Sequence, residues 1–150
     1  LTARFKKLLF SLLIIGFVGS VSAQGVGIWE LDGSCPATDD SGNNNDGECI
    51  NSPVTGDAGQ FGNAYTFQYD TGDYLDISPD PLPSGTGDYS ISVWFKTSTT
   101  QNGALVYFGE GSTGSGTGIN LRGQSPEKMR YSVWGNDIDV EQSFSDGNWH

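Results

Sequence analysis

Histidine occurs once in this 150-residue sequence, at position 150, methionine once and cysteine twice. A lone histidine excludes a serine or cysteine nucleophile served by a nearby imidazole, and it excludes a histidine-rich zinc site. Basic residues are also scarce. Seven Lys and Arg stand against 18 Asp and Glu, and three of the seven, Arg4, Lys6 and Lys7, fall in the first seven residues. Beyond residue 23 only four cations remain beside all 18 acids, a net charge of −14. Such a surface repels nucleic acid and anionic lipid and favours cations, neutral sugars or basic partners. No window of a dozen residues repeats apolar side chains every 3.6 residues, so amphipathic helices are not expected. Glycine is plentiful, but the runs in "GEGSTGSGTG" lie between strand-like segments with no helix to complete a phosphate loop.

Long apolar runs are missing except at the beginning. After "LTARFKK" comes "LLFSLLIIGFVG", then "SVSA" with small residues at Val21 and Ala23. The basic start, the apolar run shorter than the roughly 20 residues of a spanning helix, and the small-residue site predict a secretory signal peptide over residues 1–23. Residues 24–150 are then a soluble chain, secreted or at the cell surface, with no membrane insertion after cleavage. In that compartment Cys35 and Cys49, the only cysteines, are expected to pair with each other.

The rest of the chain predicts an all-β fold. Short β-rich runs alternate with Gly, Asn, Asp, Ser and Pro clusters, placing strands at 27–33, 47–52, 64–69, 73–77, 89–97, 103–110, 118–123, 128–135 and 137–144. Nine strands in this length point to two packed antiparallel sheets. "YSISVWFKT" alternates, with Tyr89, Ile91, Val93 and Phe95 on a core face and Trp94 and Lys96 opposite. "KMRYSVWG" sets Met129, Tyr131 and Val133 against Lys128, Arg130, Ser132 and Trp134.

Taken in order, "WELDG", "TDDSGNNNDG", "GQFGNAYTFQYDTGDYLDI", "DYSISVWFKT" and "FSDGNWH" resemble the laminin-G-like jelly-roll domains of the concanavalin A-like lectin/glucanase superfamily, over about residues 28–150. The resemblance implies a two-sheet antiparallel jelly-roll sandwich, in which the Trp-His pair opens a strand in mid-domain. On that reading residues 24–150 are the N-terminal part of a domain truncated at its C-terminal end.

The loop "CPATDDSGNNNDGEC" admits two readings. One is an Asx-turn at Asp40-Ser41-Gly42, closed by the disulfide. The other is a structural calcium site, because aspartate and asparagine oxygens at close spacing suit Ca²⁺. Domains similar to this one often hold such an ion. Asp40, Asn43, Asn45 and Asp46 are the candidate ligands, with Asp73 from another loop. The EF-hand register fails, since it puts Pro53 where the bidentate glutamate belongs.

The superfamily also contains retaining glucanases with alternating acids on one strand. Asp137, Asp139 and Glu141 alternate, but Asp137 replaces the glutamate of that pattern. Positions i and i+4 lie roughly 13 Å apart on a flat strand, against about 5–5.5 Å for a retaining pair. Glu30 and Asp32 are followed by Cys35 where a second glutamate belongs. A catalytic residue is therefore not expected. Sugar rings stack on flat aromatic faces, so Trp94, Trp134 and Tyr74 are the candidate ligand platform, with loop-covered scaffold tryptophans as the alternative. The function expected is an extracellular recognition or adhesion module binding a glycan or a protein. The alternatives are an accessory domain of a secreted glycoside hydrolase and a structural spacer.

Overall fold

A computed structural model describes residues 3–8, 26–78, 88–109, 116–133 and 136–150. The described chain is all-β with antiparallel pairing throughout. Its strands are β1 (Ala3–Leu8), β2 (Glu48–Ile50), β3 (Val54–Ala58), β4 (Asn63–Thr66), β5 (Tyr74–Asp76), β6 (Val93–Thr97), β7 (Gly103–Phe108), β8 (Thr117–Arg122), β9 (Lys128–Val133) and β10 (Ile138–Glu141). They form one four-stranded sheet, ordered β10-β9-β8-β7, and three two-stranded ladders, β1-β6, β2-β5 and β3-β4.

The four-stranded sheet follows its sequence alternation. Leu121 pairs with Met129 and Met129 with Val140, so one face is apolar. On the other face Asn120 pairs with Arg130 and Arg130 with Asp139. Phe95, Leu121 and Phe144 form one core cluster, against which Met129 and Leu105 pack. Leu105 also touches the larger cluster of Trp29, Leu31, Ala37, Tyr65, Phe67, Val106 and Phe108. One apolar side chain thus joins the two clusters.

Several segments depart from expectation: β4 ends at Thr66 rather than at residue 69, and β10 ends at Glu141 rather than at residue 144. Residues 27–33 form no strand, because Leu31 has φ +53° and breaks the extended repeat; Trp29 and Leu31 are nevertheless core. β6 begins at Val93 rather than at residue 89. Tyr89 lies at the rim, its hydroxyl 2.6 Å from that of Tyr131 and 3.1 Å from Thr117 Oγ1. β3 was not expected from "VTGDA", whose glycine carries φ +83° at a register shift. A positive φ there is open to glycine and costly for most other residues.

Residues flanking β6 pair with it on both sides. β1 sets Ala3 opposite Thr97 and Leu8 opposite Val93. β1 lies within the stretch expected to be a leader, and cleavage after Ala23 would leave this side of β6 open. On the other side Phe95 N donates to His150 O at 3.0 Å and His150 N to Phe95 O at 2.9 Å. The turn before it is fastened by Asp146, which accepts from Asn148 N at 2.8 Å and Asn148 Nδ2 at 3.0 Å and lies 3.0 Å from His150 Nε2. These contacts lower its carboxyl to about 2.

Glu127 seats Phe144 in the core. Its carboxylate accepts from Phe144 N at 2.8 Å, Ser143 Oγ at 3.2 Å, Ser145 N at 3.3 Å and also Ser145 Oγ. The Ser145 hydroxyl and the Phe144 amide hold this carboxyl below the usual glutamate range. A group whose folded pKa lies below its unfolded one stabilises fully above the unfolded value, and the contribution is lost as pH falls through the folded value. Stability should accordingly fall between the ordinary carboxylate range and about pH 2, where Asp146 also titrates. Glu127→Gln turns an amide towards these donors and is expected to cost about 1–2 kcal/mol in urea unfolding at pH 7, partial exposure moderating the loss. The same substitution should flatten the acid limb of the stability curve.

Candidate functional site

The disulfide loop is built around a carboxylate. Cys35 and Cys49 are bonded, with Cα atoms 5.9 Å apart. Ala37 and Gly47 exchange two backbone hydrogen bonds of 2.8 Å inside that closure. Asp39, 6% exposed, accepts from Ile28 N at 2.9 Å, Ser41 N at 2.9 Å, Ser41 Oγ at 2.8 Å and Asn45 N at 3.0 Å. Burial pushes its carboxyl up, but the donors on Ile28, Ser41 and Asn45 outweigh burial and leave it below the usual aspartate range. The Asx-turn therefore starts at Asp39, one residue before the expected Asp40. Both registers offer a carboxylate two residues before a backbone N–H, and burial selects the first.

The candidate calcium ligands serve this turn differently from expectation. Asp46 Oδ1 accepts from Asp39 N at 2.8 Å, and Asn45 Nδ2 donates to Val26 O at 2.6 Å. Asn43 Nδ2 donates to Ser41 Oγ at 3.0 Å, and Asp40 is exposed. Asp73 is not brought to this loop. Ile50 pairs with Tyr74 at the end of the β2-β5 ladder, and Asp73, next along, accepts from Gln68 N and Thr71 Oγ1 of its own turn. Among the described residues no three acidic, histidine or cysteine side chains gather to hold a metal ion. The hydrogen donors of the loop converge on Asp39, which is not among the candidate calcium ligands.

Two of the alternating acids, Asp139 on β10 and Asp137 just before it, act as counter-ions. Asp139 accepts from Arg130 Nε at 2.6 Å and Nη2 at 2.9 Å and lies 3.6 Å from Lys128 Nζ. Asp137 lies 3.0 Å from Arg130 Nη1. The Arg130 hydrogen bonds hold the Asp139 carboxyl below its usual range, so it is a carboxylate at neutral pH.

Two of the three aromatic candidates, Trp94 and Tyr74, are among the described residues. Trp94, half-buried on β6, meets Phe61 edge-on, with ring centroids 6.1 Å apart. Tyr74 is exposed on β5, opposite Ile50. Trp134 lies outside the described residues.

A different aromatic side chain borders a cleft. Three segments separated in sequence line a cleft of about 280 Å³: the 67–73 turn, residues 97–104 from the end of β6 into β7, and Leu121 of β8. Tyr69, 56% exposed, stands at this cleft with Gln68, Asp73, Gln101 and Asn102. The turn is fixed from within. Asp73 accepts from Gln68 N at 2.9 Å and Thr71 Oγ1 at 2.5 Å, while Asn51 Nδ2 donates to Gly72 O at 3.0 Å. Across the cleft, Thr97 Oγ1 accepts from Thr99 N and Thr99 Oγ1 from Gln101 N, and both threonines are buried. Amide donors and acceptors, a carboxylate and one exposed ring on a rigid floor can hydrogen-bond hydroxyls and stack on the face of a sugar. The sequence points to Tyr74 rather than to Tyr69, which falls at the end of the expected strand 64–69, whereas β4 stops at Thr66.

Comparison with protein-family models, with curated proteins and with solved structures finds no match for this chain.

Proposed function

We propose that residues 24–150 are an exported recognition module that binds carbohydrate in the cleft beside Tyr69, the first 23 residues serving as its signal peptide. The jelly-roll arrangement belongs to this proposal and rests on the ordered motifs from "WELDG" to "FSDGNWH". The observation that carries the binding reading is the cleft's composition: an exposed tyrosine ring among Gln68, Asp73, Gln101 and Asn102 over an ordered floor. Neutral glycans suit the cleft, because the chain as a whole carries a large negative charge and, among the described residues, the only acidic side chain lining the cleft is Asp73. Adhesion to a glycan-bearing surface or to an extracellular protein is the role this supports.

The test is calorimetric titration with a panel of neutral oligosaccharides. At least one should bind saturably, and Tyr69→Ala should weaken it about threefold to tenfold, the worth of one aromatic stacking contact. A panel without a binder, or a binder indifferent to Tyr69→Ala, rejects the reading.

A further inference from the structure

Three of the four cations beyond residue 23 meet at one place, which the acidic balance of the chain makes unexpected. A second cavity, of about 380 Å³, lies on the polar face of the four-stranded sheet and is lined by Arg122, Lys128, Arg130 and Asp139 together with Asn102 and Gln124. Asn102 also lines the Tyr69 cleft, so the two adjoin.

The cations are not equivalent. Arg130 is neutralised by Asp139 and Asp137, and Lys128 shares Asp139. Arg122 has no carboxylate partner among the described residues. Its Nε is sealed from solvent without a hydrogen-bond acceptor, so a ligand in the cavity meets the guanidinium only through its Nη groups. Moreover, the β8-β9 register places Arg122 directly opposite Lys128. Such cross-strand partners hold their Cβ atoms about 4.5–5.5 Å apart, where like charges destabilise a sheet. Asp139 is the cavity's own anion, and both its oxygens are engaged by Arg130. The cavity thus combines an unmatched guanidinium, a second cation held against it and two side-chain amides.

We propose that this cavity binds the carboxylate of an acidic sugar, a uronate, with Arg122 as its principal contact. A guanidinium matches a carboxylate with two parallel N–H···O bonds, and an anion between Arg122 and Lys128 relieves their repulsion. The anion is argued from the cavity alone; that a sugar carries it rests on the carbohydrate reading above.

The experiment is an NMR titration of the disulfide-bonded protein with glucuronate, its uncharged methyl ester and acetate at physiological ionic strength. Glucuronate should bind at least about tenfold more tightly than either comparator, a difference within reach of one charge-assisted pair. Arg122→Gln should remove that preference while leaving the ligand-free melting temperature unchanged or higher, because the opposed charges are gone. Lys128→Gln should weaken glucuronate without abolishing it. Equal binding of the ester overturns the anion site, and equal binding of acetate overturns the sugar. Unaltered glucuronate binding by Arg122→Gln, or a lowered melting temperature in that variant, overturns the role of Arg122. Neutral oligosaccharides and Tyr69→Ala report on the neighbouring cleft separately, so failure there is distinguishable from failure here.

Discussion

Asp39→Ala should destabilise the protein by about 3–4 kcal/mol, among the largest effects of any single polar substitution in the chain. The side chain is buried, and its loss strands the backbone N–H groups of Ile28, Ser41 and Asn45. Each buried donor left unpaired costs about 1–3 kcal/mol, and hydration of the more exposed ones offsets part of that. The consequence reaches the core. Trp29 Nε1 donates to Asn45 O at 2.8 Å, and Ile28 O accepts from Asp40 N at 2.8 Å, so the loop and the Trp29 segment hold each other in place. Asp39→Asn keeps one acceptor oxygen and should cost roughly half as much. Urea denaturation of both variants at pH 7 measures these values. A loss below 1 kcal/mol for the alanine variant would show that the loop contributes little to folding.

Replacing Cys35 and Cys49 together by serine should cost about 3 kcal/mol, the chain-entropy value for closing a loop of 15 residues. Mass spectrometry of the unreduced protein should find no alkylatable thiol. Because the disulfide and Asp39 fasten the same loop, the two losses should not add. Asp39→Ala in the serine background is expected to cost clearly less than in the bonded protein. Strict additivity would mean that the two devices act on separate parts of the fold.

What was legible in the sequence followed from how local each signal is. Alternation over six residues identified β9 and the polar column of Lys128 and Arg130, because a strand's side chains take opposite faces whatever lies around them. The cysteine pair was legible for a different reason, since a sequence with only two cysteines leaves one intramolecular pairing. The choice between Asp39 and Asp40 was not legible. Both fit an Asx-turn, and only packing against Ile28 and Trp29 makes one of them central. β3 was hidden because a glycine at positive φ interrupts the alternation that marks a strand. The Tyr69 cleft was hidden more deeply: it is assembled from a turn, a connection and a strand far apart in sequence, and no spacing rule relates Tyr69 to Asn102. Trp94 illustrates the opposite case, a conspicuous side chain on a polar strand face that meets Phe61 of the "GQFG" stretch, a contact that no spacing in the sequence announces.

Exposed apolar side chains at one edge of the molecule bear on its behaviour in solution. Ile138 and Val140 are 59% and 56% exposed on the apolar face of β10, which is also the outer strand of its sheet. An open edge beside an apolar strip invites pairing with another chain, and the net charge opposes this only over about 8 Å at physiological salt.

The central claim is that carbohydrate recognition resides in the cleft beside Tyr69, and mapping the backbone amides of isotope-labelled protein during titration with the tightest neutral oligosaccharide tests it most directly. The account predicts saturable shifts concentrated at residues 68–73 and 99–103, with Phe61 and Trp94 unmoved. Shifts centred on Phe61 and Trp94, or spread evenly over the surface without saturation, would contradict it.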